Sequence, residues 1–386
     1  MVLPPWPHFD EEMLEAAQRV LSSGKVNYWT GPEGREFECE FAGYTGSRYA
    51  IALANGTIAL EIPLRALGIG PGDEVIVTPR TFVASASCPM LVGATPVFAD
   101  VDLESGNLTA ETIEAVLTPK TKAVIVVHLA GWPCEMEPIL ALAHKYGFKV
   151  IEDCAQAHGA KIDGRSVGTF GHVAAWSFCQ DKIITTAGEG GMITTDDPDL
   201  FERMWSLKDH GKNRAKTLEK PAQPGFRWLH DGLGNNGRMT EVQAAIGRIA
   251  LRRLDGWIEQ RTWNAQELMG ALEGEVIEFP KPREGLKHAY YKLYGNVRPG
   301  VDREALLAAM ERQGVPGLSG TCCEVYREGV FDQAGILPGQ PLPQAQALSK
   351  TGVMFLVHPT MGQDHMVEMS ERVLAATRSL QVEAIP

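Results

Sequence analysis

Between residues 48 and 200 the sequence alternates short apolar runs with stretches of helical periodicity, a pattern that few folds accommodate. The runs are YAIAL (49–53), EVIVT (74–78), TPVFADV (95–101), AVIVVHL (123–129), KVIED (149–153), VAAWSF (173–178) and GMITT (191–195). They read as buried strands, the kind that lie between layers of helix. Stretches such as MEPILALAHKYG (136–147) supply the helices. The pattern predicts an α/β fold with a mostly parallel sheet flanked by helices. In such sheets ligands sit at the carboxyl ends of the strands. From 240 to 275 the periodicity turns helical; a strand in HAYYKLYGNV (288–297) and a helix in DREALLAAMERQG (302–314), ended by Gly314, follow. This predicts a large domain over 1–255 and a smaller C-terminal α+β domain over 256–386. EKPAQPGFRW (219–228) reads as a loop. A chain of 386 residues with 44% hydrophobic content is long enough for both cores.

Charge and composition exclude several classes. The formal net charge is −12, and no dense Lys/Arg run is present, which argues against a nucleic-acid partner. The N-terminal MVLPPWPHFDEEM lacks the regions of a signal peptide, and the run AVIVVHLAGW (123–132) is too short to span a bilayer. No membrane association is expected. The seven cysteines, at 39, 88, 134, 154, 179, 322 and 323, form no CxxC pair. They read as reduced thiols of a cytoplasmic protein, with no metal site.

Two residues carry the chemistry. Lys182 stands between an apolar strand and a GEGG turn. Burial disfavours a charged lysine, and a partly neutral one is a nucleophile suited to a Schiff base. Asp153 ends the strand KVIED. A carboxylate there can keep a pyridine nitrogen protonated, so the pair points to pyridoxal phosphate. Glu152 alternates to the other side of the strand and should pair elsewhere. Asp153 would also serve as a plain helix cap, and Gln156 as its capping-box partner. ANGTIAL (54–60) follows a strand and starts a helix, where Asn55 is a cap and the N–H groups of Gly56 and Thr57 can face an anion. An ordinary capped helix would carry the same residues. Pro63 inside it should kink the helix unless packing compensates. Phe82, just past a strand end, is placed either to stack on a ring or to fill the core.

In these blocks the chain resembles the DegT/StrS family of sugar aminotransferases, fold-type I pyridoxal phosphate enzymes of aspartate aminotransferase-like fold. The matching segments are ANGTIALEIPLRALGIGPGDEVIVTPRTFVAS, VIEDCAQAHGA, WSFCQDK with GEGGMITTDD, and GNNGRMTEVQAAIG, within roughly residues 10–380. The resemblance implies that Lys182 holds the cofactor aldehyde and shuttles protons, and that Asp153 binds the pyridine nitrogen. It implies Gln156 at the phenolic oxygen, Phe82 stacked on the ring, and Gly56, Thr57 and Ser177 at the phosphate. Asn236 would reach the phosphate of a neighbouring subunit, which makes the active unit a homodimer with shared sites. The cofactor would cycle between pyridoxal 5'-phosphate and pyridoxamine phosphate. The amino donor would be an amino acid, with L-glutamate expected, and the acceptor a keto-sugar, expected to be nucleotide-linked.

This sequence departs from the family pattern at three places. Ala187 lengthens the gap between Lys182 and Glu189, Gly237 stands where an aromatic is common, and SGTCCEVYRE (319–328) replaces a His-Tyr-Pro-like segment. These leave the acceptor open, and a cyclitol ketone is an alternative. A sugar dehydratase of the same fold would carry histidine in place of Lys182. A non-catalytic regulatory relative would not need the full set of cofactor residues. A dinucleotide-binding oxidoreductase is not supported, because GIGPGDEV (68–75) precedes a strand instead of following one. His158, His210, Tyr291 and His358 are candidates for the acceptor side, and each has an equally ready structural reading.

Overall fold

The computed structural model describes residues 1–220 and 225–383. Its strands, in chain order, are β1 (Tyr49–Leu53), β2 (Glu74–Val77), β3 (Thr95–Phe98), β4 (Thr121–Val127), β5 (Lys149–Asp153), β6 (Lys161–Ile162), β7 (Arg165–Ser166), β8 (Val173–Ser177), β9 (Gly191–Thr195), β10 (Ile277–Glu278), β11 (Leu286–Lys287), β12 (Leu293–Val297) and β13 (Gly352–Phe355). The helices are α1 (Glu11–Ser23), α2 (Glu33–Thr45), α3 (Gly56–Ala66), α4 (Val83–Leu91), α5 (Ala110–Glu114), α6 (Met136–Tyr146), α7 (Pro198–Lys208), α8 (Arg214–Leu218), α9 (Glu241–Ala271), α10 (Arg303–Arg312), α11 (Gly329–Gln333), α12 (Pro343–Thr351) and α13 (Gln363–Glu383). The loop expected at 219–228 is irregular at its ends, and its residues 221–224 lie outside the described residues.

The central sheet has seven strands in the order β1-β9-β8-β5-β4-β2-β3. Only β9 runs against the others. The carboxyl ends of β1, β2, β5 and β8 therefore emerge at one edge, beside the start of β9. Side chains alternate between the two faces. Val150 of β5, Val124 and Val126 of β4, and Ala174 and Trp176 of β8 enter one core, together with α1, α2 and the first half of α9. Ile151, Ile125 and Ala175 enter the opposite core with α3 and α7. The same alternation sends Glu152 to the first face, and Asp153 and Ser177 to the second.

Glu152 is fully buried and acts as a hub. It accepts hydrogen bonds from the backbone N–H groups of Gly168 (2.7 Å), Phe170 (2.8 Å) and Gly171 (2.6 Å), and pairs with Nε2 of His128 at 3.0 Å. It thus ties β5 to the turn that leads into β8. Pro63 does not break α3, which stays helical from Gly56 to Ala66 with the proline buried against its neighbours. The remaining expected strand and helix limits shift by a few residues, as element ends commonly do.

The strand expected at 288–297 is shorter. Only Leu293–Val297 pairs, with β13 and β10, because Tyr290 adopts φ +44° and interrupts the extended backbone. The N–H groups of Ala289 and Tyr291 instead donate to Gly131 and Ala130 of the turn after β4. The domain boundary expected after residue 255 falls inside α9. That helix contributes Leu254 and Ile258 to the first core, and Ala265 and Leu268 to a third core built on β10, β12, β13, α10 and α13. The stretch from Cys323 to Leu348 leaves the third core and packs on the large sheet. Tyr326 and Phe331 sit edge-on against Phe98, and Asp100 accepts from the N–H groups at the start of α12.

Burial alone would raise the Glu152 pKa, but His128 and the amides of Gly171 and Gly168 outweigh it and hold it below the ordinary 4.5. A carboxylate with a depressed folded-state pKa stabilises the fold above its unfolded value and loses that contribution as pH falls through the folded one. Glu152→Gln should therefore cost about 3 kcal/mol at pH 7, with the difference from the native protein shrinking below about pH 4. Urea unfolding of both proteins at pH 7 and at pH 3.5 measures this; a pH-independent difference would contradict it.

Candidate active site

The strand ends open into a cavity of about 950 Å³. Its lining includes Gly56, Thr57, Phe82, Asp153, Gln156, Ser177 and Lys182, brought together from four strand ends. Asn55 caps α3, its side chain accepting from the N–H of Ile58 at 2.9 Å. The Gly56 and Thr57 N–H groups have no partner among the described residues and open toward the cavity at the positive end of the helix dipole. A Cβ on Gly56 would lie 2.6 Å from Cβ of Ser177, so only glycine lets the helix start this close to the end of β8.

Asp153 is only 5% exposed. Its Oδ2 accepts from the Ser85 hydroxyl at 2.7 Å and its Oδ1 from the Ala155 N–H at 3.1 Å. Since Ser85 donates to the carboxylate, Thr81 must donate to Ser85 across their 2.8 Å contact. Burial raises the Asp153 carboxyl above its ordinary value, against the pull of Ser85, Ala155 and Lys182. A desolvated carboxylate held by two neutral donors is suited to a cation. Gln156 turns its Oε1 to the Ala130 N–H at 2.7 Å, which leaves its Nε2 as the donor group. Phe82 is 64% exposed and borders the cavity, with a free face for a flat ring.

Lys182 has a side chain only 14% exposed, and its Nζ stands 4.0 Å from Oδ1 of Asp181. Its backbone carbonyl accepts from Nε1 of Trp6 at 3.0 Å. Trp6 stacks on His358 and lies under the buried guanidinium of Arg261. The N-terminal segment thus buttresses the turn that carries Lys182, a contact across 176 residues that local pattern cannot reveal.

The other expected residues divide. Asn236 is exposed and does not line the cavity of its own chain; its backbone bridges to Asp209, which holds Arg238 at 2.6 Å. Of the four acceptor-side candidates, only Tyr291 lines the cavity. His158 is fully buried against Trp176 and Phe178, His358 lies beneath Trp6, and His210 is exposed. The divergent segment 319–328 does form cavity wall, through Gly320, Thr321, Cys322, Val325 and Glu328. Sequence reasoning missed Thr81, Ser85, Trp6 and Lys292. The first two lay within a quoted block, in the TFVAS that ends it.

A buried trio, His128, Glu152 and Cys154, is close enough to share a cation. Hydrogen bonds already occupy the imidazole. Nδ1 accepts from the Cys134 N–H, so Nε2 carries the proton and donates to Glu152. The trio joins strands and leaves no histidine lone pair for a metal.

An anion cradle, a desolvated carboxylate, a free aromatic face and a half-buried lysine in one cavity fit pyridoxal phosphate. The structure and its relatives define a fold-type I aminotransferase. The sequence matches the DegT/DnrJ/EryC1/StrS aminotransferase family over residues 7–374, and the chain belongs to that family. It is similar to the crystal structure of an aminotransferase from Psychrobacter cryohalolentis, at 50% identity and a TM-score of 0.96, over 98% of this chain and 100% of that one. It is 39% identical to a UDP-N-acetyl-3-dehydro-alpha-D-glucosamine 3-aminotransferase of Acidithiobacillus ferrooxidans, over 79% of this chain and 78% of the relative. It is 46% identical to the GDP-perosamine synthase of Caulobacter vibrioides, over 60% of this chain and 63% of that protein.

Gly56→Ala should weaken binding of pyridoxal phosphate at least tenfold by pushing the start of α3 off Ser177. Absorbance titration with the cofactor, alongside a melting curve that stays near the native one, measures this.

Proposed function

We propose that this protein is a pyridoxal phosphate-dependent aminotransferase that moves an amino group from an amino acid, with L-glutamate expected, to a nucleotide-linked keto-sugar. The observation that carries the reading is the convergence of Lys182 and Asp153, from adjacent strand ends, on one cavity with an anion cradle at its floor. The cofactor would supply an aldehyde that joins amines and a ring that draws electrons from the attached carbon. Gly56, Thr57 and Ser177 would bind its phosphate, and Phe82 would fix the ring plane. Asp153, oriented by Ser85 and Thr81, would hold the proton on the ring nitrogen. Gln156 would offer its amide N–H to the phenolic oxygen. Lys182 would carry the proton to and from the substrate carbon through Nζ, in reach of that carbon in both halves of the exchange.

The acceptor assignment rests on the relatives, whose names specify UDP- and GDP-linked sugars. A lysine at 182 also stands against the dehydratase alternative. Asn236, exposed and away from its own cavity, suits a residue that serves a second subunit's site, so a homodimer is part of this reading. The seven cysteines are free, and no helix among the described residues is long and apolar enough to cross a membrane. We place the protein in the cytoplasm.

Adding L-glutamate to the cofactor-loaded protein should convert its absorption band, and a keto-sugar should reverse the change. Lys182→Ala should lower turnover by at least three orders of magnitude while the fold is kept. A variant that turns over at the native rate would sink the reading.

A further inference from the structure

The cavity wall is unevenly charged. Four carboxylates border it, Asp153, Asp181, Glu189 and Glu328, against two cations, Lys182 and Lys292. In the reading above, Asp153 and Lys182 are committed to the cofactor. Asp181 faces Lys182 and accepts the Tyr291 hydroxyl. Lys292 is the one lining cation left among the described residues.

Its placement follows from the interrupted strand. Because pairing begins only at Leu293, residues 288–292 run past the turn after β4, and Tyr291 and Lys292 come to the cavity. Nζ of Lys292 lies 4.8 Å from the centre of the Tyr291 ring, and Nζ of Lys182 lies 5.1 Å from the same centre. The two ammonium groups therefore share one aromatic wall and stand no more than about 10 Å apart. Lys292 is half-buried, and no carboxylate lies within 4.0 Å of it among the described residues. Burial pulls its pKa down to about 8; Asp181 opposes that shift, and Arg261 and Lys182 add to it. A desolvated ammonium with no carboxylate in contact is costly unless a ligand supplies one.

The chemistry of the exchange supplies such a ligand. Every amino-acid donor carries a carboxylate oxygen within about 4 Å of the amine that reacts at Lys182, at standard bond lengths. A single point-like cation, in a wall that also carries Asp181, Glu189 and Glu328, suits one carboxylate better than a diphosphate with two charges. We propose that Lys292 is the carboxylate anchor of this cavity, receiving the amino-acid donor and setting its amine beside Lys182. The assignment rests on the aminotransferase reading and deepens it.

The test compares cofactor-loaded native protein with K292Q and K292R in the absence of acceptor. The absorbance change should need at least tenfold more L-glutamate in K292Q and within threefold of the native amount in K292R. Cofactor affinity and the response to ethylamine, which has no carboxylate, should stay unchanged. Glutarate, a dicarboxylate that cannot react, should compete in the native protein and not in K292Q; K292M replaces K292Q if that variant does not fold. Native-like titration of K292Q with L-glutamate overturns the anchor. So does an equal loss for ethylamine, or, when a keto-sugar is added in a second step, a loss confined to that half, which would assign Lys292 to the acceptor. Native protein that binds the cofactor but ignores every amino acid overturns the aminotransferase reading itself and the anchor with it, a failure visible before any variant is made.

Discussion

A carboxylate buried at the end of a parallel strand must be met by donors or by a cation, and β5 ends in two of them. The two-residue period of the strand sends Glu152 and Asp153 to opposite faces. Glu152 is fully met, by three backbone N–H groups and His128, and in being met it fixes the turn that aims β8. Asp153 is met only in part, by Ser85 and Ala155. One residue completes the scaffold and the next is left with capacity for a ligand. Everything else in the cavity is arranged around that difference: Ser177 at the end of the neighbouring strand, Lys182 five residues beyond it, and the cap of α3 pressed against Ser177 through Gly56.

Most of this was legible in the sequence because buried parallel strands write themselves as apolar runs, and the residues just past each run are the ones the sheet presents at its edge. Gly56, Phe82, Asp153, Gln156 and Lys182 stand out that way, Ser177 came only from the family resemblance, and the cavity holds all six. The reading faltered where a local pattern is ambiguous. HAYYKLYGNV looks extended throughout, yet the left-handed backbone at Tyr290 delays pairing until Leu293 and delivers Tyr291 and Lys292 to the cavity. Trp6 was silent because its partner lies 176 residues away. The histidines were open from the start: an imidazole is as readily packed as used, and His158 is packed, with both nitrogens unpartnered beside Trp176 and Phe178. The return of 323–348 to the large sheet carries no periodic signal of its own, since short helices on a foreign surface are held by tertiary contacts alone.

The charges around the cavity also separate by role. Arg238 and Lys212 both close on Asp209, and Lys208 on Glu38, away from the cavity. These pairs pin the segment that carries Asn236. Within the cavity wall, Asp181 takes the Tyr291 hydroxyl and faces Lys182, while Lys292 has no carboxylate in contact among the described residues.

The long helix α9 belongs to two cores at once, and it contains no proline between Glu241 and Ala271. Sharp bends in helices come from prolines, bulges or inserted groups. The far wall of the cavity, with Leu318, Met354 and Leu356, rides on the third core, while the floor rides on the sheet. The helix is thus a spacer bar between two jaws. With no proline in that bar, one continuous span from Glu241 to Ala271 carries both jaws of the opening.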